Sequence, residues 1–143
     1  MDKQSEENLD GWWHAFFDAA ALPAQLEPSV GWQGIDDHKE STPVPGAFSL
    51  LQPGHGGVVW YHRPFVLPEW WGKGEVWLEC AARSRVQVFL DETPLSTVAE
   101  ESTVAVRLGR LLPLRVYNLC LKVWHQDDSG GIISSVTLVY RES

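Results

Sequence analysis

Basic residues are scarce in this chain of 143 residues: eleven Lys and Arg stand against nineteen Asp and Glu, a formal net charge of −8. Nucleic acids and anionic membranes bind by having their phosphates neutralised, so this balance argues against both as partners. The shortage is uneven, with three basic and ten acidic residues up to residue 71, then eight and nine. No apolar run approaches the roughly 18 residues that cross a bilayer. The opening Met1-Asp2-Lys3-Gln4-Ser5-Glu6-Glu7 lacks the basic region and apolar stretch of an export leader, which sets the expectation of a cytoplasmic chain. Cysteine is limited to Cys80 and Cys120, far outside the spacing of a CxxC metal or redox motif. Both lie in alternating apolar runs and read as free, buried thiols.

Catalytic signatures are missing as well. There is no HExxH, no Gly-x-Ser-x-Gly and no phosphate-cradling GxxxxGK. The five histidines (14, 38, 55, 62 and 125) do not form a metal-binding pair with a downstream Glu. The acidic pairs Asp36-Asp37 and Asp127-Asp128 are the only hint of calcium, and nothing in their spacing demands it. The expectation is a non-catalytic chain with no cofactor and no metal.

What remains is a hydrophobic fraction of 44% and an aromatic fraction of 11%, enough for one real core in one domain. Residues 1–10 are polar and read as a frayed end, with a single domain over 11–143. Trp12 to Phe17 reads as a strand, followed by a possible turn of helix near 19–26. From Pro23 to Gly57, five prolines and six glycines predict a loop layer without long regular elements. After Gly57 the texture becomes short alternating segments: 58–67, 76–80, 86–90, 103–108, 118–124 and 132–140. One greasy face per strand is the mark of an antiparallel sandwich. Pro64 argues that the first of these lies at an edge or a bulge, and Asp91-Glu92-Thr93-Pro94 reads as a turn.

Several of these segments resemble one family in order. Gly57-Val58-Val59-Trp60-Tyr61-His62-Arg63-Pro64-Phe65-Val66-Leu67-Pro68, with Trp70-Trp71-Gly72-Lys73 after it, is similar to the "WYRR-x-F-x-LP-x-x-W-x-GK" segment of the sugar-binding domain that opens family 2 glycoside hydrolases, the beta-galactosidase and beta-glucuronidase group. Trp32-Gln33-Gly34-Ile35 with Val44-Pro45-Gly46, then Val86-Gln87-Val88-Phe89-Leu90, Asn118-Leu119-Cys120-Leu121-Lys122-Val123 and Gly130-Gly131-Ile132 resemble further motifs in the same order. The resemblance implies an all-β, galactose-binding-like jelly roll of about eight antiparallel strands. It also implies that the catalytic carboxylates belong to a separate barrel of which this chain has no counterpart. Departures fall on the ligand side. The family's hairpin Asn-Gly is Asp91-Glu92 here, so the tight turn is lost or rebuilt, and the following loop is reduced to 96–102.

Sugar rings stack their C–H faces on aromatic planes while their hydroxyls need carboxylates and amides. Trp124, His125, Asp127 and Asp128 form the best such cluster, and the resemblance implies that Asp127 or Asp128 supplies an acidic residue to a sugar; a solvated turn is the plainer reading. Trp71 is the other candidate, as an exposed ring beside a framework Trp70. Trp12, Trp13 and Trp32 are expected to plug one end of the sandwich against Trp60 and Tyr61, and Arg63 to pair with Asp36 or Asp37. The expected function is a non-catalytic carbohydrate-binding module for a galactoside or glucuronide. The rival is a protein interaction domain, a homo-oligomer or a separated subunit of a larger glycosidase, using an exposed aromatic face.

Overall fold

A computed structural model describes residues 4–18, 26–37, 40–44, 46–47, 57–71, 74–80, 86–98, 104–125, 131–132 and 136–142. Twelve strands are present among them: β1 (Gln4–Asn8), β2 (Gly11–Asp18), β3 (Glu40–Val44), β4 (Gly46–Ala47), β5 (Gly57–Val66), β6 (Gly74–Cys80), β7 (Val86–Leu90), β8 (Thr93–Val98), β9 (Val104–Gly109), β10 (Val116–His125), β11 (Gly131–Ile132) and β12 (Thr137–Glu142). The one helical segment described is a single turn, α1 (Gly31–Gly34), continued as a 3₁₀ turn over Ile35–Asp37. A four-stranded sheet has the order β1-β12-β6-β9 and a six-stranded sheet the order β3-β2-β5-β10-β7-β8, with β4 and β11 pairing separately. The chain is the antiparallel β-sandwich that its alternating pattern predicts and that the resemblance implies as a jelly roll, with twelve strands, several of them short, where about eight are expected.

Period-two patterning decides which faces meet. In β6, every second residue from Gly74 to Cys80 is buried, and Val76 and Leu78 point into one cluster with Leu138 and Tyr140 of β12. From the larger sheet, Trp13, Val59, Tyr61, Val88, Leu119 and Leu121 enter that same cluster. Each fully buried aliphatic or aromatic side chain there contributes about 1.5–3 kcal/mol of transfer free energy, which makes this layer the main source of stability.

Four expectations need correction. Residues Gln4–Asn8 are not a frayed end: they pair in register with 137–141 as the outer strand of the smaller sheet. Glu6, Glu7 and Asn8 are exposed, so backbone hydrogen bonds rather than burial recruit this strand, and the apolar pattern that announces other strands is absent. The segment 40–44, placed in a loop layer, is a strand, as is 93–98; Pro43 and Pro94 are tolerated because β3 and β8 are the two edges of the larger sheet. β5 is central, between β2 and β10. Pro64 fits there because the pairing with β2 ends at His62, so that at Pro64 only β10 lies alongside. The run 132–140 is divided between β11 and β12.

Both cysteines are free and buried. Cys80 belongs to the cluster between the sheets and Cys120 to a different cluster on the outer face of the larger sheet, so a layer of backbone separates them.

Candidate functional site

The outer face of the six-stranded sheet is not a plain solvent face. Trp60 of β5 and Phe89 of β7, both fully buried, pack with Val58, Ile35 and Cys120. Trp32 of α1 closes over them edge-on, with ring centroids 5.5 Å from Trp60 and 5.3 Å from Phe89. Such edge-to-face pairs contribute about 0.5–1.5 kcal/mol beyond area burial, enough to seat a helical turn too short to hold itself.

Two buried charges anchor this layer. Asp18 at the end of β2 accepts hydrogen bonds at one carboxylate oxygen from Trp60 Nε1 (3.1 Å) and the Ser29 backbone N–H (2.8 Å). Lys122 of β10 is fully buried with its ammonium 5.3 Å from the Trp60 ring centre. Burial pushes the Lys122 pKa down to about 8, against the opposing pull of the Asp18 charge. The pair locks β2, β5, β10 and the 26–29 segment together.

Beside this layer opens a cleft of about 530 Å³ lined by Trp32, Gln33, Ile35, His62, Asp91, Glu92, Arg115, Val116, Asn118 and Cys120. Its floor comes from β5 and β10, where His62 and Asn118 lie on the outward parity of neighbouring strands and hydrogen-bond, His62 Nε2 to Asn118 Oδ1 at 3.0 Å. One rim is Trp32, exposed only in part. The opposite rim is the β7–β8 turn. Asp91 and Glu92 both take positive φ, 48° and 71°, as the two central residues of a mirror-image hairpin turn. The tight turn, expected to be lost or rebuilt, is rebuilt from an aspartate, which tolerates the left-handed region, and a glutamate, which tolerates it poorly. Asp91 is held by a full set of partners: its N–H donates to Asn118 O (2.9 Å), its Oδ1 accepts from Asn118 N (2.8 Å), and its Oδ2 accepts from Arg115 Nη2 (3.2 Å). Arg115 also lies over the Tyr117 ring, 4.7 Å from its centre. Burial pushes the Cys120 thiol far up, so the cleft holds no reactive thiolate at neutral pH. The lining offers a flat ring, amide and imidazole groups and carboxylates, the mixture that binds polyhydroxylated rings.

Of the residues expected to bind sugar, those described fall outside this cleft. Trp71 is buried, stacked at 10° on Tyr140 with centroids 5.2 Å apart, so it is core and cannot meet a ligand. The turn in which Trp71 N–H donates to Pro68 O points Trp70 outward instead, at 74% exposure, reversing the expected roles of the pair. Trp124 and His125 close β10 opposite Val58 and Gly57. That end is about 20 Å along the strand from Asn118, given a rise of about 3.3 Å per residue. Asp127 and Asp128 lie outside the described residues. Of the expected plug, Trp13 is buried between the sheets, Trp12 is exposed and Trp32 forms the cleft rim. Arg63 donates to the carbonyls of Leu9 and Pro64 (3.3 and 2.6 Å); among the described residues it makes no ion pair with Asp37, and the Asp36 side chain lies outside them. Trp77 is half-buried under the Arg141 guanidinium at 5.6 Å.

No family model matches the chain, and no curated protein sequence does. Solved structures do share its fold. A beta-glucuronidase from Ruminococcus gnavus in complex with D-glucuronic acid superposes with a TM-score of 0.77 at 19% identity over 96% of this chain. The same organism's enzyme in complex with D-glucaro 1,5-lactone gives 0.76 at 19% identity, and a further structure of that enzyme gives 0.78 at 18% identity. The chain spans 28–29% of the length of those enzymes, matching one β-sandwich portion of each.

Proposed function

We propose that this protein is a non-catalytic carbohydrate-binding module that seats a sugar ring in the cleft between α1 and the β7–β8 turn. The observation that carries this reading is the lining itself: Trp32 as a stacking face above the hydrogen-bonded His62–Asn118 floor, with Asp91, Glu92 and Arg115 on the far rim. Stacking plus a few fixed polar groups is how a shallow polar site gains affinity for a neutral, hydroxyl-rich ligand. The shared fold with a portion of beta-glucuronidases supports a setting among carbohydrate-active proteins.

The test is a titration of methyl galactosides, glucosides and glucuronides against the full chain, read by tryptophan fluorescence, with Trp32→Ala, Asn118→Ala and Trp124→Ala alongside. Saturable binding lost in the first two variants and kept in the third is the expected result. Loss in Trp124→Ala alone would move the site to the Trp124–Asp128 loop, and silence with every glycan would overturn the sugar reading.

A second reading has its own observation. Val66, Trp70, Leu112, Leu114 and Val116 are all exposed, and they come from two adjoining segments, joined by the Val66–Val116 register and by the bond from Leu114 N–H to Leu67 O. An apolar patch of this kind suits a protein contact. Association that Trp70→Ser abolishes, with no glycan response, would favour it.

A further inference from the structure

The cleft also carries a charge pattern, and from it we infer which sugars it accepts: an amino sugar first, a neutral sugar second, a uronic acid last. This inference depends on the carbohydrate reading above. Three ionised side chains line the cleft, Asp91, Glu92 and Arg115, a net charge of one negative with histidine counted as neutral. The cation is already committed. Arg115 Nη2 is paired with Asp91 Oδ2, and its guanidinium plane lies over Tyr117. Asp91 is committed in turn, since its other carboxylate oxygen accepts the Asn118 N–H.

Glu92 differs from both. It is exposed, it follows Asp91 in the positive-φ turn, and among the described residues it has no hydrogen bond or ion pair. A non-glycine residue at φ 71° is strained, and such strain persists where something else is gained. Here the turn presents a carboxylate at the mouth of a cleft whose cation is neutralised. A sugar ammonium arriving there meets an unpaired carboxylate and forms a charge-assisted hydrogen bond. A uronate meets the same carboxylate as a like charge, within a chain whose net charge of −8 adds to the repulsion.

The experiment compares methyl glycosides of glucosamine, glucose and glucuronic acid, at a pH where the amine is protonated, on the full chain and on Glu92→Gln. The three probes share one ring and differ in charge. The aminoglycoside is expected to bind at least about fivefold more tightly than the glucuronide at about 0.01 M ionic strength and to approach it at about 1 M, where the Debye length is only about 3 Å. Glu92→Gln should bring the three affinities within about twofold of one another, the charge-dependent part having been removed. Equal affinities in the wild-type chain, or a glucuronide that binds most tightly, would overturn the charge inference and leave sugar binding intact. Binding of none of the three would instead overturn the carbohydrate reading itself. The salt series on the wild-type chain decides the matter even if Glu92→Gln does not fold.

Discussion

Replacing Glu92 with glycine should make this protein more stable, although it removes a side chain and adds none. Glu92 holds φ at 71° and Asp91 at 48° in the turn between β7 and β8. An L-residue in the left-handed region carries about 1–2 kcal/mol of strain, which glycine lacks. Against this, glycine loses about 0.5–1 kcal/mol more conformational entropy on folding. The difference leaves a net gain of about 0.5–1 kcal/mol, because Glu92 has no hydrogen-bond network to lose in the way its neighbour does: among the described residues it makes no hydrogen bond. Asp91→Gly relieves less strain, since aspartate tolerates this region, and deletes the carboxylate that binds Asn118 N–H at 2.8 Å and Arg115 at 3.2 Å. Its net effect should be a loss of about 1 kcal/mol, since a charge-assisted bond contributes about 1.5–3 kcal/mol. Urea unfolding with a fixed m-value, or melting, reads both: about 1 kcal/mol moves Tm by about 2–4 °C in a domain this size. Glu92→Gly less stable than wild type, or Asp91→Gly more stable, would refute the reasoning about this turn.

Other substitutions probe the layer beneath the cleft. Trp60→Phe leaves the buried Asp18 carboxylate short of its 3.1 Å donor and thins the contacts with Trp32 and Phe89; chemical denaturation should register a loss of about 3 kcal/mol, and a loss below about 1 kcal/mol would contradict the anchoring role. Lys122 titrates near 8 when folded and near 10.5 when unfolded, so between those values the unfolded chain binds the extra proton and Lys122 makes stability rise with pH. Measured against Lys122→Met to cancel other groups, the wild-type chain should gain stability as pH climbs from 8 towards 10; a flat or falling difference would be the contrary result. Trp71→Ala should cost about 3–5 kcal/mol and Trp70→Ala less than about 0.5 kcal/mol in thermal melts, because the first ring is core and the second is solvated; similar costs would contradict their assignment. Burial pushes the Cys80 thiol up to about 11 and that of Cys120 further, so a thiol reagent at neutral pH should label neither until denaturant is added.

The architecture was legible because burial in a two-layer sandwich leaves a period-two record, clear in Val76, Leu78 and Cys80 and in Leu119, Leu121 and Val123. Elements without that record leave no comparable signal in the sequence. β1 is held by its backbone ladder, and β3 and β8 contain prolines that their edge positions permit. The cleft was harder still. His62 and Asn118 are 56 positions apart and meet because β5 and β10 pair in one register, with Cys120 opposite His62. A one-residue slip would place them on opposite faces, and local sequence does not specify it. The sequence predicts Trp32 as part of an aromatic plug, and a plug and a cleft rim look alike until the helical turn is placed over Trp60. The roles of Trp70 and Trp71 were exchanged because a turn after Pro68, not strand parity, aims them.

The most direct test of the site is an amide and indole NMR titration with a methyl aminoglycoside. The account predicts that shift changes concentrate on the Trp32 indole N–H and on the backbone of His62, Glu92 and Asn118. Changes confined to residues 124–128, or a spectrum that no sugar moves, would contradict it.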